Sequence, residues 1–120
     1  MSKQVLIVGA SREVRPFQNL LQKEGLGVSV IENLNLAFEE AKKMHPQAIL
    51  FILPVYWEPI TDFVKKIKAE EGFSEVPIIY LGSLIEGEDQ IILQQHGVIT
   101  LTLGPVPTEE IVRYIVNLIS

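Results

Sequence analysis

The sequence predicts an α/β fold, a parallel sheet of five strands sandwiched between two layers of helices. Three observations predict it. Short apolar runs of strand length alternate five times with segments whose apolar residues recur at helical spacing. The run Ala48–Leu53 is apolar without interruption, as a central parallel strand covered on both faces requires. Glycines and prolines fall between the segments, where turns belong.

The elements follow in order. Val5–Val8 has the length and composition of a strand. From Ser11 to Glu24, Val14, Phe17, Leu20 and Leu21 lie on one helical face. Pro16 cannot donate a backbone hydrogen bond, so the regular helix is expected to start near it, and Gly25 and Gly27 close the unit. Val28–Ile31 reads as a second strand, and the polar Ser29 within it suits a place near a sheet edge. Asn35 is the candidate N-cap of a helix carrying Leu36, Ala37, Phe38, Ala41 and Met44, which His45-Pro46 stops. After the central strand, a helix is expected from Pro59, with Ile60, Phe63, Val64 and Ile67 inward and its lysines outward. Pro77–Leu81 is the fourth strand. Leu84–His96 is a weaker helix, since Gly87 costs about 1 kcal/mol against alanine. Val98–Leu103 is the fifth strand, and Pro107 or Thr108 opens the last helix.

Residues 1–120 therefore read as a single domain, without internal repeat or low-complexity tract. Hydrophobic residues at 48% and charged residues at 21% exclude disorder. A formal charge of −5, with lysines scattered among glutamates on two helices, argues against nucleic-acid binding. No cysteine is present, which excludes disulfides, iron–sulfur clusters and thiolate zinc sites. No apolar run approaches the roughly 18 residues of a membrane span, and the cytoplasm is the expected compartment. In a doubly wound sheet, ligands and chemistry gather at the carboxyl ends of the strands, so the residues just after each strand are the ones to interrogate.

Across nearly its whole length the sequence resembles the CheY-like receiver domains of response regulators. The resemblance is carried by the opening KQVLIV, the segment FQNLLQKEG, then NLNLAFEEAKKMHPQAIL, FVKKIKA and VPIIYL, and a proline–diglutamate helix start after the fifth strand. It implies a three-layer, flavodoxin-like sandwich with strand order 2-1-3-4-5 and five helices. Receivers attack a phosphohistidine with an aspartate at the end of strand three, and hold Mg²⁺ with two acidic residues after strand one. They contact the phosphoryl oxygens with a hydroxyl after strand four and a lysine after strand five. On this chain the acidic pair falls on Gly9 and Ala10, the nucleophile on Ile52, the hydroxyl on Gly82 and the lysine on Gly104. None of the five offers the required group. The resemblance thus implies a receiver fold in two-component or phosphorelay signalling, without enzymatic activity, metal or cofactor, acting as a phosphorylation-independent interaction module. It also implies a cis bond at Gly104-Pro105, and it places Leu101 where receivers carry a switch aromatic.

Other signals are weighed beside it. Ser11, Glu13, Glu58, Asp62 and Ser83 are the polar residues near the strand ends, and their plain reading is helix-start placement. The loop Gly9–Arg12 is the alternative site, an anion-binding turn for a nucleotide or a CoA-like ligand, with Arg15 close by. His45 and His96 each end a helix and have no acidic neighbours that would make a metal site. Tyr56 and Trp57, expected in the loop after strand three, either plug the emptied pocket or anchor a partner. The last helix is expected to bury Ile111, Val112, Ile115, Leu118 and Ile119. Tyr114 and Val116, with Ile91, Leu103 and Val106, then make an apolar face for a protein partner or a homodimer, between the helix at 84–96, the fifth strand and the last helix.

Overall fold

Alternate side chains of a parallel strand point to opposite faces of the sheet, so a strand apolar throughout needs a core on each side. The structure, a computed structural model, describes residues 3–52, 57–82, 91, 94–102 and 107–119. Strands β1 (Gln4–Val8), β2 (Gly27–Ile31), β3 (Ala48–Ile52), β4 (Ile78–Gly82) and β5 (Ile99–Thr102) form one parallel sheet in the order β2-β1-β3-β4-β5. All five residues of β3 are buried, with β1 on one side and β4 on the other. Every residue of β2 is half-buried, as befits the edge that Ser29 suggested.

Helices α1 (Ser11–Lys23), α2 (Leu34–Met44), α3 (Trp57–Ala69) and α4 (Thr108–Ile119) cover the two faces. Val5, Ile7, Leu50, Ile52, Ile79 and Leu81 face α1 and α4, where Val14, Phe17, Leu21, Ile111, Val112 and Ile115 complete one core. Leu6, Val8, Ile49, Phe51, Ile78 and Tyr80 face α2 and α3. There Phe63 packs edge-on against both Phe51 and Phe38, with ring centroids 5.3 and 6.2 Å apart. Four helices are thus seen among the described residues, against five expected. Of the segment 84–96, Ile91, Gln94 and Gln95 have helical backbone, and Gly97 closes it at φ 75° with its N–H on the Gln94 carbonyl.

Several boundaries differ from expectation, each for a local reason. Helix α1 begins at Ser11, a full turn before Pro16. The ladder opens with Val14 N–H on the Ala10 carbonyl, and the donor that Pro16 lacks is missing on an exposed flank, where the freed carbonyl is not buried away from solvent. The N-cap of α2 is Asn33, not Asn35: its Oδ1 accepts from the N–H groups of Asn35 at 2.8 Å and Leu36 at 3.4 Å. Leu36, in the first turn of the helix, is 61% exposed. His45 ends α2 in the left-handed region (φ 48°) and stacks on Phe73. Helix α3 includes Trp57 and Glu58 ahead of Pro59, because a proline within the first turn forfeits no intrahelical bond. Trp57 is therefore helical rather than in the loop, and Glu58 lies inside the helix rather than capping it. Lys65 and Lys66 point to solvent as expected, but Lys68 folds back to donate to the carbonyls of Ser74 and Val76, at 3.2 and 2.6 Å. Burial lowers its pKa, and nearby Glu75 partly offsets the shift.

Candidate functional site at the carboxyl ends of the strands

Because all five strands run the same way, the residues that end them share one edge of the molecule. The strand order reverses beside β1, which has β2 on one side and β3 on the other, and this is where such sheets keep their chemistry. Val8 ends β1 opposite Phe51, Ile52 ends β3 opposite Leu81, and Gly82 ends β4 opposite Thr102. Gly9 and Ala10 follow directly on β1. The spacing therefore does bring Gly9, Ala10, Ile52 and Gly82 to one edge. Gly104 lies outside the described residues, as do Ser83, Tyr56, Leu103 and Val106 and the Gly104-Pro105 bond.

Gly9 and Ile52 are in close contact. A Cβ built on Gly9 would stand 2.6 Å from the Ile52 carbonyl oxygen, 3.2 Å from Val14 Cγ2 and 3.4 Å from Ile52 Cβ. The nearest of these atoms is backbone, so it cannot swing aside as a side-chain tip could. Gly9 has no positive φ, so the constraint is space alone. Ile52 itself is 1% exposed and belongs to the core shared with Val14 and Leu81. The Gly9 N–H donates to the Ile31 carbonyl at 3.1 Å. Ala10 is the N-cap of α1, in extended conformation, and makes no side-chain cap.

Among the described residues, Gly9, Ala10 and Ile52 bring only hydrocarbon and backbone to this edge. Divalent cations of the Mg²⁺ type need several oxygen ligands, usually carboxylates. The three residues that would supply them here, Gly9, Ala10 and Ile52, have none to give, so they do not fit such an ion. Asp62 is exposed on the second turn of α3, and the side chains of Ser11, Glu13 and Glu58 are outside the described residues. Among the described residues no three His, Asp or Glu side chains come together as a metal site. In the loop Gly9–Arg12, the Gly9 N–H continues the β1–β2 ladder onto the Ile31 carbonyl. Arg12 and Arg15 are exposed.

The expected apolar face is only partly assembled. Ile91 is 54% exposed, Tyr114 43% and Leu118 39%. Leu118 was expected inward. Val116, expected on this face, instead lines the cleft between α1 and α4 with Leu20 and Arg113, and is half-buried. The two residues separating it from Tyr114 turn it about 200° round the helix, onto the side facing α1. Sequence reasoning missed Leu118. Its spacing of four from Tyr114 was the signal that could have grouped the two. Leu101 is half-buried on the α4 side of the sheet.

No protein-family model matches the sequence. No curated protein matches it either. Solved structures do match. The chemotaxis response regulator CheY4 of Vibrio cholerae superposes with a TM-score of 0.82 at 18% identity, over 98% of this chain and 99% of that one. The fold is CheY-like. An orphan response regulator of H. pylori gives 0.82 at 14% identity, over 99% and 98% of the two chains. The signal receiver domain of a histidine kinase from Syntrophus aciditrophicus gives 0.79 at 16%, over 98% and 90%. These neighbours are receiver domains of signalling proteins, and at such identities they speak for the fold, while function has to be argued from the site. Among the described residues no helix is long and apolar enough to cross a membrane.

Proposed function

We propose that this chain is a pseudo-receiver: a CheY-like domain in signal transduction that takes no phosphoryl group and acts by binding protein partners. The contact between Gly9 and the Ile52 carbonyl carries the reading. In the receiver pattern these positions hold a metal-binding acid and the nucleophile, and both need side-chain oxygens facing an open pocket. Here one position has no room for a Cβ and the other is a buried isoleucine. Tuning a pKa cannot rescue a residue with no lone pair. The solved structures of the same fold belong to a chemotaxis response regulator, an orphan response regulator and the receiver of a histidine kinase, which favours a role in two-component signalling.

Without phosphoryl chemistry, the remaining way to regulate is occupancy, because a partner shifts a domain only by binding its states unequally. The exposed Ile91, Tyr114 and Leu118 are the apolar residues available for a partner near the β5 edge. The domain is expected to work in the cytoplasm, without metal, cofactor or catalysis.

Acetyl phosphate with Mg²⁺ tests the reading. Intact-mass spectrometry is expected to show a single unmodified species after incubation, beside a competent receiver that labels under the same conditions. A phosphorylated species reversed by hydroxylamine would mark an acyl phosphate and overturn the reading.

A further inference from the structure

The last turn of α4 is tied to the residue just ahead of β1. The Lys3 Nζ donates to the Ile119 carbonyl, across 116 residues of sequence. We infer that Lys3 is a positioning residue, a charged strap that orders residues 116–119, and that removing its charge lets this turn fray.

A helix ends in carbonyls that receive no N–H from their own chain, and in the negative pole of its dipole. A lysine in the last turn commonly answers both. Helix α1 has Lys23 there, α2 has Lys42 and Lys43, and α3 has Lys66 and Lys68. Helix α4 has none. Its first turn suits the positive pole, with Glu109 and Glu110, while Arg113, its only cation, lies mid-helix. The charge missing from its end is supplied from the start of β1.

A strap holds only if its other end is fixed. The Lys3 carbonyl accepts from the Gly27 N–H at 2.8 Å, where β2 begins. Next to it, the Gln4 carbonyl accepts from the Gln47 N–H at 2.8 Å, and the Gln4 N–H donates to the Gln47 side chain. The backbone from which Lys3 springs is thus pinned both to β2 and to the turn ahead of β3. The turn it holds has no fully buried residue. Val116 and Ile119 are half-buried against the core, and Asn117 and Leu118 are exposed, whereas Ile111, Val112 and Ile115 earlier in the helix are buried.

Leu118, at 39% exposure, stands in this turn, four residues after Tyr114. The strap therefore governs how firmly Leu118 is presented to a partner. That consequence rests on the reading given under the proposed function, while the strap itself does not. An ammonium suits the task better than a neutral donor, since its hydrogen bond to the carbonyl is charge-assisted and its charge also meets the dipole.

Amide hydrogen exchange, followed by NMR on the folded chain, reads the strap residue by residue without a partner or acetyl phosphate, so it can fail while the pseudo-receiver reading stands. Lys3→Met keeps the stem and removes the charge. It is expected to speed exchange at the amides of 116–119 by about two- to fivefold, with those of α1 and β3 unchanged. Lys3→Arg restores a charged donor and is expected to restore native rates. Lys65→Met removes an exposed lysine from α3, changes the net charge by the same amount, and is expected to leave α4 as it is. Salt separates the charge from packing of the lysine stem. At about 1 M, where screening acts within roughly 3 Å, native rates at 116–119 are expected to approach those of Lys3→Met, which should not move. Equal exchange at these amides in the native chain and Lys3→Met overturns the inference. So does an equal change in Lys65→Met, or native rates that ignore salt.

Discussion

Ile52→Asp is expected to lose about 4 kcal/mol of stability and to gain no phosphoryl transfer. The substitution restores the residue type that a receiver needs at this position, so on sequence grounds alone it would be a repair. The surroundings decide otherwise. Ile52 is 1% exposed, in a core with Val14, Leu81 and Ile79, and Gly9 presses on its carbonyl. A carboxylate there has no cation and no described donor to meet it, so burial raises its pKa above the unfolded value. The sign follows. The unfolded chain then ionises more readily than the folded one, so the electrostatic part of the loss is full above the raised folded pKa, shrinks as pH falls from there toward the unfolded pKa of about 3.9, and is gone below it. Urea midpoints at pH 7 and near pH 4 should show the variant closer to the native chain at the lower pH. A variant as stable as the native chain at pH 7, labelled by acetyl phosphate, would contradict the account.

Gly9→Asp is expected to cost about 3 kcal/mol, and Gly9→Ala most of that. Ordinarily Gly→Ala at a φ that alanine can adopt stabilises a protein by about 0.4–1 kcal/mol, through the unfolded chain. Here the sign reverses. The obstacle is met at Cβ, 2.6 Å from a backbone oxygen, so β1 and β3 must part before any larger side chain can enter. That separation also disturbs Ile52 and Val14, so the two substitutions at this contact should not be additive. Chemical denaturation of Gly9→Ala, Ile52→Asp and the double variant measures the coupling. Gly9→Ala with unchanged or raised stability would mean that the strand ends are not in contact.

The comparison of these two residues shows what was legible in the sequence. Burial on both faces of Ala48–Ile52 was readable because an uninterrupted apolar run has few other uses, and the spacing of the runs gave the sheet its order through the resemblance. The same spacing put Gly9 and Ile52 at one edge. It could not tell that the edge had closed, since that depends on the separation of two strands far apart in the chain. The misread boundaries are of another kind. Asn33 and Asn35 are chemically equal caps, and only the end of β2 decides between them. Pro16 is tolerated in α1 because its flank faces water. Lys68 looks like its neighbours Lys65 and Lys66 until the loop after α3 folds beneath it and offers two carbonyls. Val116 was grouped with Tyr114 by hydrophobicity, although two residues along a helix point to nearly opposite sides. Leu118 was assigned inward on the same ground, and the helix phase turned it toward solvent.

The claim beneath all of this is that the β1 and β3 ends form a closed, oxygen-poor contact. Beryllofluoride with Mg²⁺ probes it most directly, because the complex mimics a phosphoryl group and needs both an acceptor carboxylate and the cation. Backbone amide spectra of the uniformly labelled chain, titrated with both, are expected to show no saturable shift at Gly9, Ala10, Ile52 or Gly82. Saturable shifts at these amides that depend on Mg²⁺ would contradict the claim.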